Sequence, residues 1–167
     1  EELASYLNDE NWRVVSYAIK KLVEIGDKHA IEHLIRALKN EGEFVRTSAA
    51  EALGKLQSEI ALEPLTKLLK DKKNVVRRAA VVALGPMADK SMVKPLLEAL
   101  QDNDEKTRRL AGNVLVKIGK PAVGPLVDLL KTEDIAVRFN AARALRKITG
   151  QDFEHDYTKW KVWYEDN

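Results

Sequence analysis

The stretch VRTSAAEALGKL, residues 45–56, decides how this chain folds, because close copies of it recur along the sequence. The copies are VRRAAVVALGPM from Val76, TRRLAGNVLVKI from Thr107 and VRFNAARALRKI from Val137, with starts 31, 31 and 30 residues apart. A more degenerate copy, VVSYAIKKLVEIGD, begins at Val14, again 31 residues before the quoted stretch. A fixed period of this length is the sequence signature of a helical repeat protein.

Each copy predicts a first helix, and a second apolar segment with helical spacing follows it. The second segments read AIEHLIRALK, ALEPLTKLLK, MVKPLLEALQ and AVGPLVDLLK. Apolar residues in both segments recur at i, i+4, i+7 and i+8, which is the spacing of one helix face. The fifth unit has an altered second half. The repeating unit is therefore predicted to be a helix–turn–helix hairpin that is used five times.

Glycine and proline mark the ends of these predicted helices. Gly26 and Gly119 are predicted to close first helices in the left-handed conformation. Proline recurs in the early turn of the second helix, at Pro64, Pro95 and Pro125, where its missing N–H group costs nothing. The Gly85–Pro86 pair predicts an early end or kink in the third first helix, and Gly54 indicates close packing between helices.

The shared pattern VRxxAAxALGxIGDxxAIxPLIxAL resembles the short HEAT-like repeats of phycobilisome-lyase-like proteins and many prokaryotic helical-repeat proteins, over residues 9–150. The segment ITGQDFEHD, with two tryptophans after it, resembles the close of many bacterial HEAT-repeat chains. The resemblance implies an all-α, right-handed α-solenoid (an armadillo-like superhelix) of about five repeats and about eleven helices. It leaves the function open, because such folds serve as scaffolds, chromophore lyases and accessory subunits.

We expect a single domain over residues 1–167. Its parts are a partial helix at 1–8, repeats starting near 9, 41, 72, 103 and 133, and a C-terminal cap at 151–167. The chain opens half a repeat in and begins without methionine, so we expect upstream residues to be missing from it.

Composition excludes several classes of function. A net charge of +2 gives no overall attraction to nucleic acid or to an anionic membrane. The chain has no cysteine, which rules out a disulfide framework and a thiolate metal site and is compatible with a cytoplasmic location. No apolar run reaches the roughly 18 residues that a membrane-spanning helix needs.

Half of the aromatic residues lie in the last fifteen positions of the predicted cap region: Phe153, Tyr157, Trp160, Trp163 and Tyr164. The spacing of all but Trp163 predicts one helical stripe, with Trp163 beside it. Asp156 is the predicted N-cap and Asp152 is the alternative. The last repeat of a solenoid has an apolar face that no neighbour covers, and we predict that these rings cover it. A surface on which nucleic acid bases stack is the alternative.

Arginine recurs two residues into the aligned repeat, at Arg46, Arg77, Arg108 and Arg138. A cation at a helix N-terminus opposes the helix dipole, so its recurrence at one register requires partners. The HEAT-like resemblance implies a structural ladder, in which each arginine binds carboxylates or helix-end carbonyls of the adjacent unit. The alternative is a phosphate-binding ridge, to which these nearby cations would contribute: Lys72, Lys73, Arg78, Lys106 and Arg109.

The second helices of such a solenoid line its concave side, and their outward positions can be assigned from the register. The opposite charges four residues apart are Glu32 with Arg36, Glu63 with Lys67, and Lys94 with Glu98, and each pair can neutralise itself. Such a surface has little net field for phosphates, which argues against a nucleic-acid groove. Read across repeats, one register carries Arg36, Lys67, Glu98 and Asp128, a change of sign that suits a protein partner. Ordinary solvated helix surface explains the same residues equally well.

The sequence contains no recognisable catalytic or metal-binding constellation. His29 and His33 are four residues apart, but His33 takes the slot that proline holds in later repeats, which indicates an exposed first-turn residue. The paired His-Glu dipeptides of the family's di-iron hydroxylases do not occur. We therefore expect no catalytic residue, no metal ligand and no cofactor.

The sequence favours a protein-binding scaffold or adaptor that uses its concave face and is a monomer or weak oligomer. The first alternative is a phycobilisome-lyase-like accessory protein that binds a tetrapyrrole or similar chromophore. The second is nucleic-acid binding through the basic ridge.

Overall fold

The computed structural model describes residues 2–167, a range with eleven α-helices and no strand. The helices are α1 (Glu2–Ser5), α2 (Trp12–Ile25), α3 (Lys28–Ala37), α4 (Glu43–Leu56), α5 (Leu62–Leu68), α6 (Asn74–Leu84), α7 (Val93–Ala99), α8 (Glu105–Ile118), α9 (Val123–Leu129), α10 (Ile135–Thr149) and α11 (Tyr157–Glu165). They form two compact units, one ending at Met87 and the other covering Ala88–Asn167. The all-α class and the number of helices agree with the sequence prediction.

The first unit is built from first helices that pack side by side. Helix α4 packs against both α2 and α6, while the second helices α3 and α5 pack against α4 and α6 respectively. Leu22, Leu53 and Leu84 occupy equivalent positions 31 residues apart, and all three are buried. The repeated apolar register of the sequence is therefore the core of this unit.

Gly54 is the point of closest approach between α4 and α6. A Cβ atom added at Gly54 would lie 2.6 Å from the Cα of Ala83 and 2.9 Å from its Cβ. No side chain fits at that distance from backbone. Glycine therefore lets the two helices pack at short range, as the sequence predicted.

Proline shifts the start of three second helices. Helices α5, α7 and α9 are each seven residues long, have proline at the third position and follow a three-residue 3₁₀ turn. Without an N–H group, proline cannot make the i→i−4 bond that would extend the α-helix backwards. Helix α3 has His33 in that slot, runs for ten residues and begins directly after the N-cap Asp27. The expectation of an exposed first-turn His33 was wrong, because His33 is half-buried in the second turn.

The glycine caps differ from one another. Gly26 closes α2 in the left-handed conformation, with φ 61° and ψ 8°. Gly119 follows α8 with φ 78° but ψ −134°, so its predicted left-handed helical cap was wrong although its φ still requires glycine. The Gly85–Pro86 pair ends α6 at Leu84, as predicted, and a 3₁₀ turn follows.

The second unit repeats the same packing. Helix α8 packs against α7 and α10, and α9 packs against α7, α10 and α11. Leu115 and Leu145 continue the buried leucine register in the first helices of this unit. Leu96 and Leu126 are the buried counterparts in its second helices.

The aromatic C-terminal helix is present, with one difference from its predicted form. Asp156 is the N-cap of α11, and its Oδ1 accepts a hydrogen bond from the Lys159 N–H at 3.1 Å. Phe153 therefore precedes the helix and cannot belong to its stripe. Its ring still meets the Trp160 ring edge-on, with 5.0 Å between centroids, because the loop folds back over the helix.

Trp160 is the centre of this segment. Its side chain is fully buried, its Nε1 donates to the Glu154 carbonyl at 3.0 Å, and the Trp163 ring packs edge-on at 6.0 Å. Helix α11 packs on α9, and the role of its aromatic residues as a cover for the last repeat stays a prediction. On α10, Ile135 remains 73% exposed and Phe139 62% exposed.

Candidate protein-binding surface

In the first unit, Arg36, Glu63 and Lys67 are exposed and Glu32 is half-buried, and one of the two predicted pairs forms. Lys67 binds Glu63 along α5, with 2.7 Å between Nζ and Oε1. Glu32, by contrast, lies 4.0 Å from the Lys28 ammonium. Arg36 makes no hydrogen bond or ion pair with any residue in the described range 2–167. The Arg36 side chain is exposed.

A groove of about 420 Å³ lies beside Arg36, between the α1 segment and α3. His33 and Lys39 line it together with Arg36, and no acidic side chain is among the described residues that do so. We call this the Arg36 groove. Its charge is suited to an anionic side chain.

The second unit carries the opposite sign at the same register. Glu98 on α7 and Asp128 on α9 are both exposed. Asp128 accepts a hydrogen bond from the Lys131 ammonium at 2.8 Å. That bond, and the Tyr157 side chain next to Lys131, raise the pKa of Lys131. The charge of Asp128 is therefore partly balanced within its own unit.

The repeated arginines share one contact geometry. In each case Nη1 donates to the carbonyl six residues earlier: Arg46 to Asn40, Arg77 to Asp71, Arg108 to Asp102 and Arg138 to Thr132, at 2.7–2.8 Å. Each arginine thus binds the polar link that precedes its own helix. The ladder role itself stays a prediction, which substitution of Arg46 and Arg138 tests.

Arg46 makes a second set of bonds. Its Nε and Nη2 donate to the two carboxylate oxygens of Asp71, at 2.8 and 3.1 Å, and Arg46 is only 5% exposed. Burial alone would raise the pKa of Asp71. The hydrogen bonds from Arg46 and from the Lys73 N–H outweigh that effect and hold the pKa of Asp71 below its ordinary value.

The remaining candidate residues do not converge on a site. His29 and His155 are exposed, and residues 2–167 contain no group of three or more His, Cys, Asp and Glu side chains placed to hold a metal ion. On the basic ridge, Lys73 is bound to Glu43 at 3.1 Å, and Lys72 and Arg109 are exposed. Across the described helices, none has the length and apolar character needed to cross a bilayer.

Two exposed aromatic residues escaped the sequence analysis. Trp12 is the first residue of α2 and Phe44 is the second residue of α4, and both lie just ahead of the aligned repeat, so the apolar periodicity does not include them. Their rings meet edge-on, with centroids 6.2 Å apart. An aromatic residue at the exposed N-terminus of a first helix is the signal that would have identified them.

Two family models match this chain. The HEAT repeat model matches residues 1–85 and 93–154, and the PBS lyase HEAT-like repeat model matches residues 76–102. No curated protein sequence matches the chain.

Solved structures with the same fold come from natural and designed repeat proteins. A chain from the complex of CpcE and CpcF of phycocyanin lyase from Nostoc sp. PCC7120 is 24% identical, with a TM-score of 0.66 over 99% of this chain and 69% of that chain. A designed armadillo repeat protein in complex with the peptide (KR)4 is 21% identical, with a TM-score of 0.61 over 98% and 88%. Human deoxyhypusine hydroxylase in complex with glycerol is 23% identical, with a TM-score of 0.60 over 90% and 62%. At these identities the likeness shows the fold alone, and it confirms the predicted α-solenoid class.

Proposed function

Because this chain belongs to the HEAT repeat family, we propose that it is a non-catalytic scaffold or adaptor that binds a protein partner through its second helices. The observation that carries the proposal is the Arg36 groove. It combines an exposed guanidinium that has no partner within residues 2–167, a second cation at Lys39 and a preformed concave surface.

Arginine is suited to this role. Its planar guanidinium binds a carboxylate through two parallel hydrogen bonds, which gives direction as well as attraction. Arg36 and Lys67 in the first unit therefore fit acidic side chains of a partner. Glu98 and Asp128 in the second unit fit basic ones.

The test reverses the charges of each unit separately. We expect the double variant Arg36→Glu with Lys67→Glu to bind an acidic segment of the partner more weakly. The double variant Glu98→Lys with Asp128→Lys should bind a basic segment of the partner more weakly. Rim charges act mainly on the association rate, so the loss should be larger at low salt than at high salt. If a double variant associates with the partner unchanged at both salt concentrations, the second-helix charges of that unit do not take part in binding.

A second candidate function is that of a lyase-like accessory protein holding a tetrapyrrole. It is favoured by the PBS lyase HEAT-like repeat match at residues 76–102. Titration with a free bilin, followed by absorbance and by quenching of tryptophan fluorescence, separates the two candidates. Saturable binding with a spectral shift supports the chromophore function, and an unchanged spectrum rejects it.

A further inference from the structure

A second groove lies between the inter-repeat links that precede α2 and α4, and it shares Leu7, Asn8, Lys39 and Asn40 with the Arg36 groove. It encloses about 570 Å³, and its walls include Trp12, Phe44 and the links at residues 8–10 and 39–42. Trp12 is 58% exposed and Phe44 is 42% exposed, although both are large aromatic side chains. We call it the Trp12–Phe44 groove.

Hydrogen bonds join the two links that line the groove. Asn40 Nδ2 donates to Asn8 Oδ1 at 2.8 Å and to the Leu7 carbonyl at 3.4 Å, while Asn40 Oδ1 accepts the Gly42 N–H at 2.8 Å. Arg46 donates hydrogen bonds to the carbonyls of Asn40 and Glu41 in the second link. The site is therefore preorganised, which reduces the entropy lost when a ligand binds.

The lining has a negative balance. Asp9, Glu10 and Glu41 contribute three carboxylates, against the ammonium of Lys39 and the guanidinium of Arg13, which lies against the Trp12 ring. All three acidic residues are exposed. Carboxylates around open aromatic rings favour a cation, because the ring faces carry negative potential and the carboxylates add to it.

The Trp12 ring already receives a cation on one side. The Arg13 guanidinium carbon lies 5.3 Å from the Trp12 ring centroid, within the range of a cation–π contact. Because Trp12 is still more than half exposed, much of the ring surface remains open to solvent. The edge-on packing of Phe44 against Trp12 fixes the orientation of both rings.

We infer that the Trp12–Phe44 groove binds a basic peptide segment of a partner protein, with a lysine or arginine side chain seated against the two rings and between Glu10 and Glu41. The inference rests on the proposed protein-binding function and adds the chemistry of one partner segment. The aromatic rings supply the cation–π contact, and the carboxylates supply attraction and hydrogen-bond acceptors for the ammonium or guanidinium.

The test titrates the full chain with a lysine–glycine octapeptide and, in parallel, with its glutamate–glycine counterpart, using calorimetry at low salt. We expect saturable binding of the basic peptide only. Trp12→Ala should weaken that binding by about 2- to 30-fold, the range of an open cation–π contact. The double variant Glu10→Gln with Glu41→Gln preserves the side-chain shapes. It should also bind the basic peptide more weakly than the unaltered protein, and its binding should depend less on salt.

Tyr17→Ala is the matched control, because Tyr17 is an equally exposed aromatic residue on the same helix, at 57%, but lies outside the groove. It should bind as the unaltered protein does, and circular dichroism should show all variants folded. Absence of saturable binding by the unaltered protein, or equal affinity of Trp12→Ala, would overturn the inference. Either result would leave the second-helix proposal standing, because that proposal is tested at Arg36, Lys67, Glu98 and Asp128, none of which lines this groove, although the two grooves share Lys39.

Discussion

Arg46 connects two consecutive links of the first unit through a single buried side chain. It donates to the carbonyls of Asn40 and Glu41 on one side and to both carboxylate oxygens of Asp71 on the other. Removing one partner of a buried, hydrogen-bonded ion pair leaves the other charge without compensation. The stability of this unit should therefore depend on Arg46 more than on an arginine that binds only carbonyls.

We predict that Arg46→Ala lowers the free energy of unfolding by about 3–5 kcal/mol, the usual cost of breaking a buried pair. Arg138→Ala is the matched comparison, because Arg138 donates to the Thr132 and Glu133 carbonyls at 2.7 and 3.1 Å. Its loss should cost about 1–3 kcal/mol. Urea denaturation of both variants measures the difference. If both variants unfold like the unaltered protein, the arginines have no structural role, and their functional alternative gains support.

The Asp71 carboxylate makes part of this stability depend on pH. Its pKa in the folded protein is lower than the ordinary value near 3.8, so the folded state favours the ionised form. Such a group contributes its full stabilisation above its unfolded pKa, and the contribution is lost as the pH falls through the folded pKa. We predict a loss of stability below about pH 4 that is smaller in Asp71→Asn. Denaturant midpoints between pH 3 and pH 7 check this. An equal loss of stability at low pH in the unaltered protein and in Asp71→Asn would contradict this prediction.

Helix packing in the first unit depends on one small residue. We predict that Gly54→Ala destabilises the protein by about 1–3 kcal/mol, because the added carbon meets the Ala83 backbone and the helices must separate. Gly112→Ala is the control on another first helix, where the nearest side-chain atom would lie 3.7 Å away. That change should be neutral or should stabilise by up to about 1 kcal/mol, the helix-propensity difference between the two residues. Thermal melting measures the stability of both variants. If Gly54→Ala stabilises the protein, the two helices can move apart at little energetic cost.

The packing of the C-terminal helix α11 depends on the buried Trp160 side chain. Trp160→Ala removes a fully buried indole and its hydrogen bond to the Glu154 carbonyl, and we predict a loss of about 3–5 kcal/mol. Val162→Ala, on the exposed side of the same helix, should change stability by less than about 0.5 kcal/mol. Calorimetry measures both changes. A Trp160→Ala protein that melts with the unaltered one would mean that α11 is not part of the cooperative unit.

At the scale of the whole molecule, periodicity predicts what is local and repeated. It located the first and second helices, the early end of α6 and the N-cap of α11, because each depends on spacing or on a single capping residue. It did not locate the Trp12–Phe44 groove, since that site forms where links 33 residues apart in sequence are joined through Asn40 and Leu7. Nor did it predict that Arg36 is left without a pair within the described chain, because a four-residue spacing allows a contact without determining the rotamer that makes it.

The charge pattern of the second helices is the remaining feature at this scale, and the proposed binding of a protein partner depends on it. The side chains of Arg36, Lys67, Glu98 and Asp128 are exposed. Reversing the charge of any one of them should therefore change stability by less than about 0.5 kcal/mol. Loss of binding would therefore reflect lost recognition and not unfolding. This separation makes charge reversal the most informative experiment on the proposed function.

The direct measurement is quantitative capture of partners from lysate by the unaltered chain and by a quadruple variant, after circular dichroism has shown both to be folded. The quadruple variant carries Arg36→Glu, Lys67→Glu, Glu98→Lys and Asp128→Lys. A control variant reverses four exposed charges away from these positions, namely Lys20→Glu, Lys55→Glu, Glu59→Lys and Glu133→Lys. We predict that proteins enriched by both the unaltered chain and the control variant are depleted at least several-fold with the quadruple variant. Recovery of the same proteins at the same yield by all three would contradict the proposal that the second helices bind the partner.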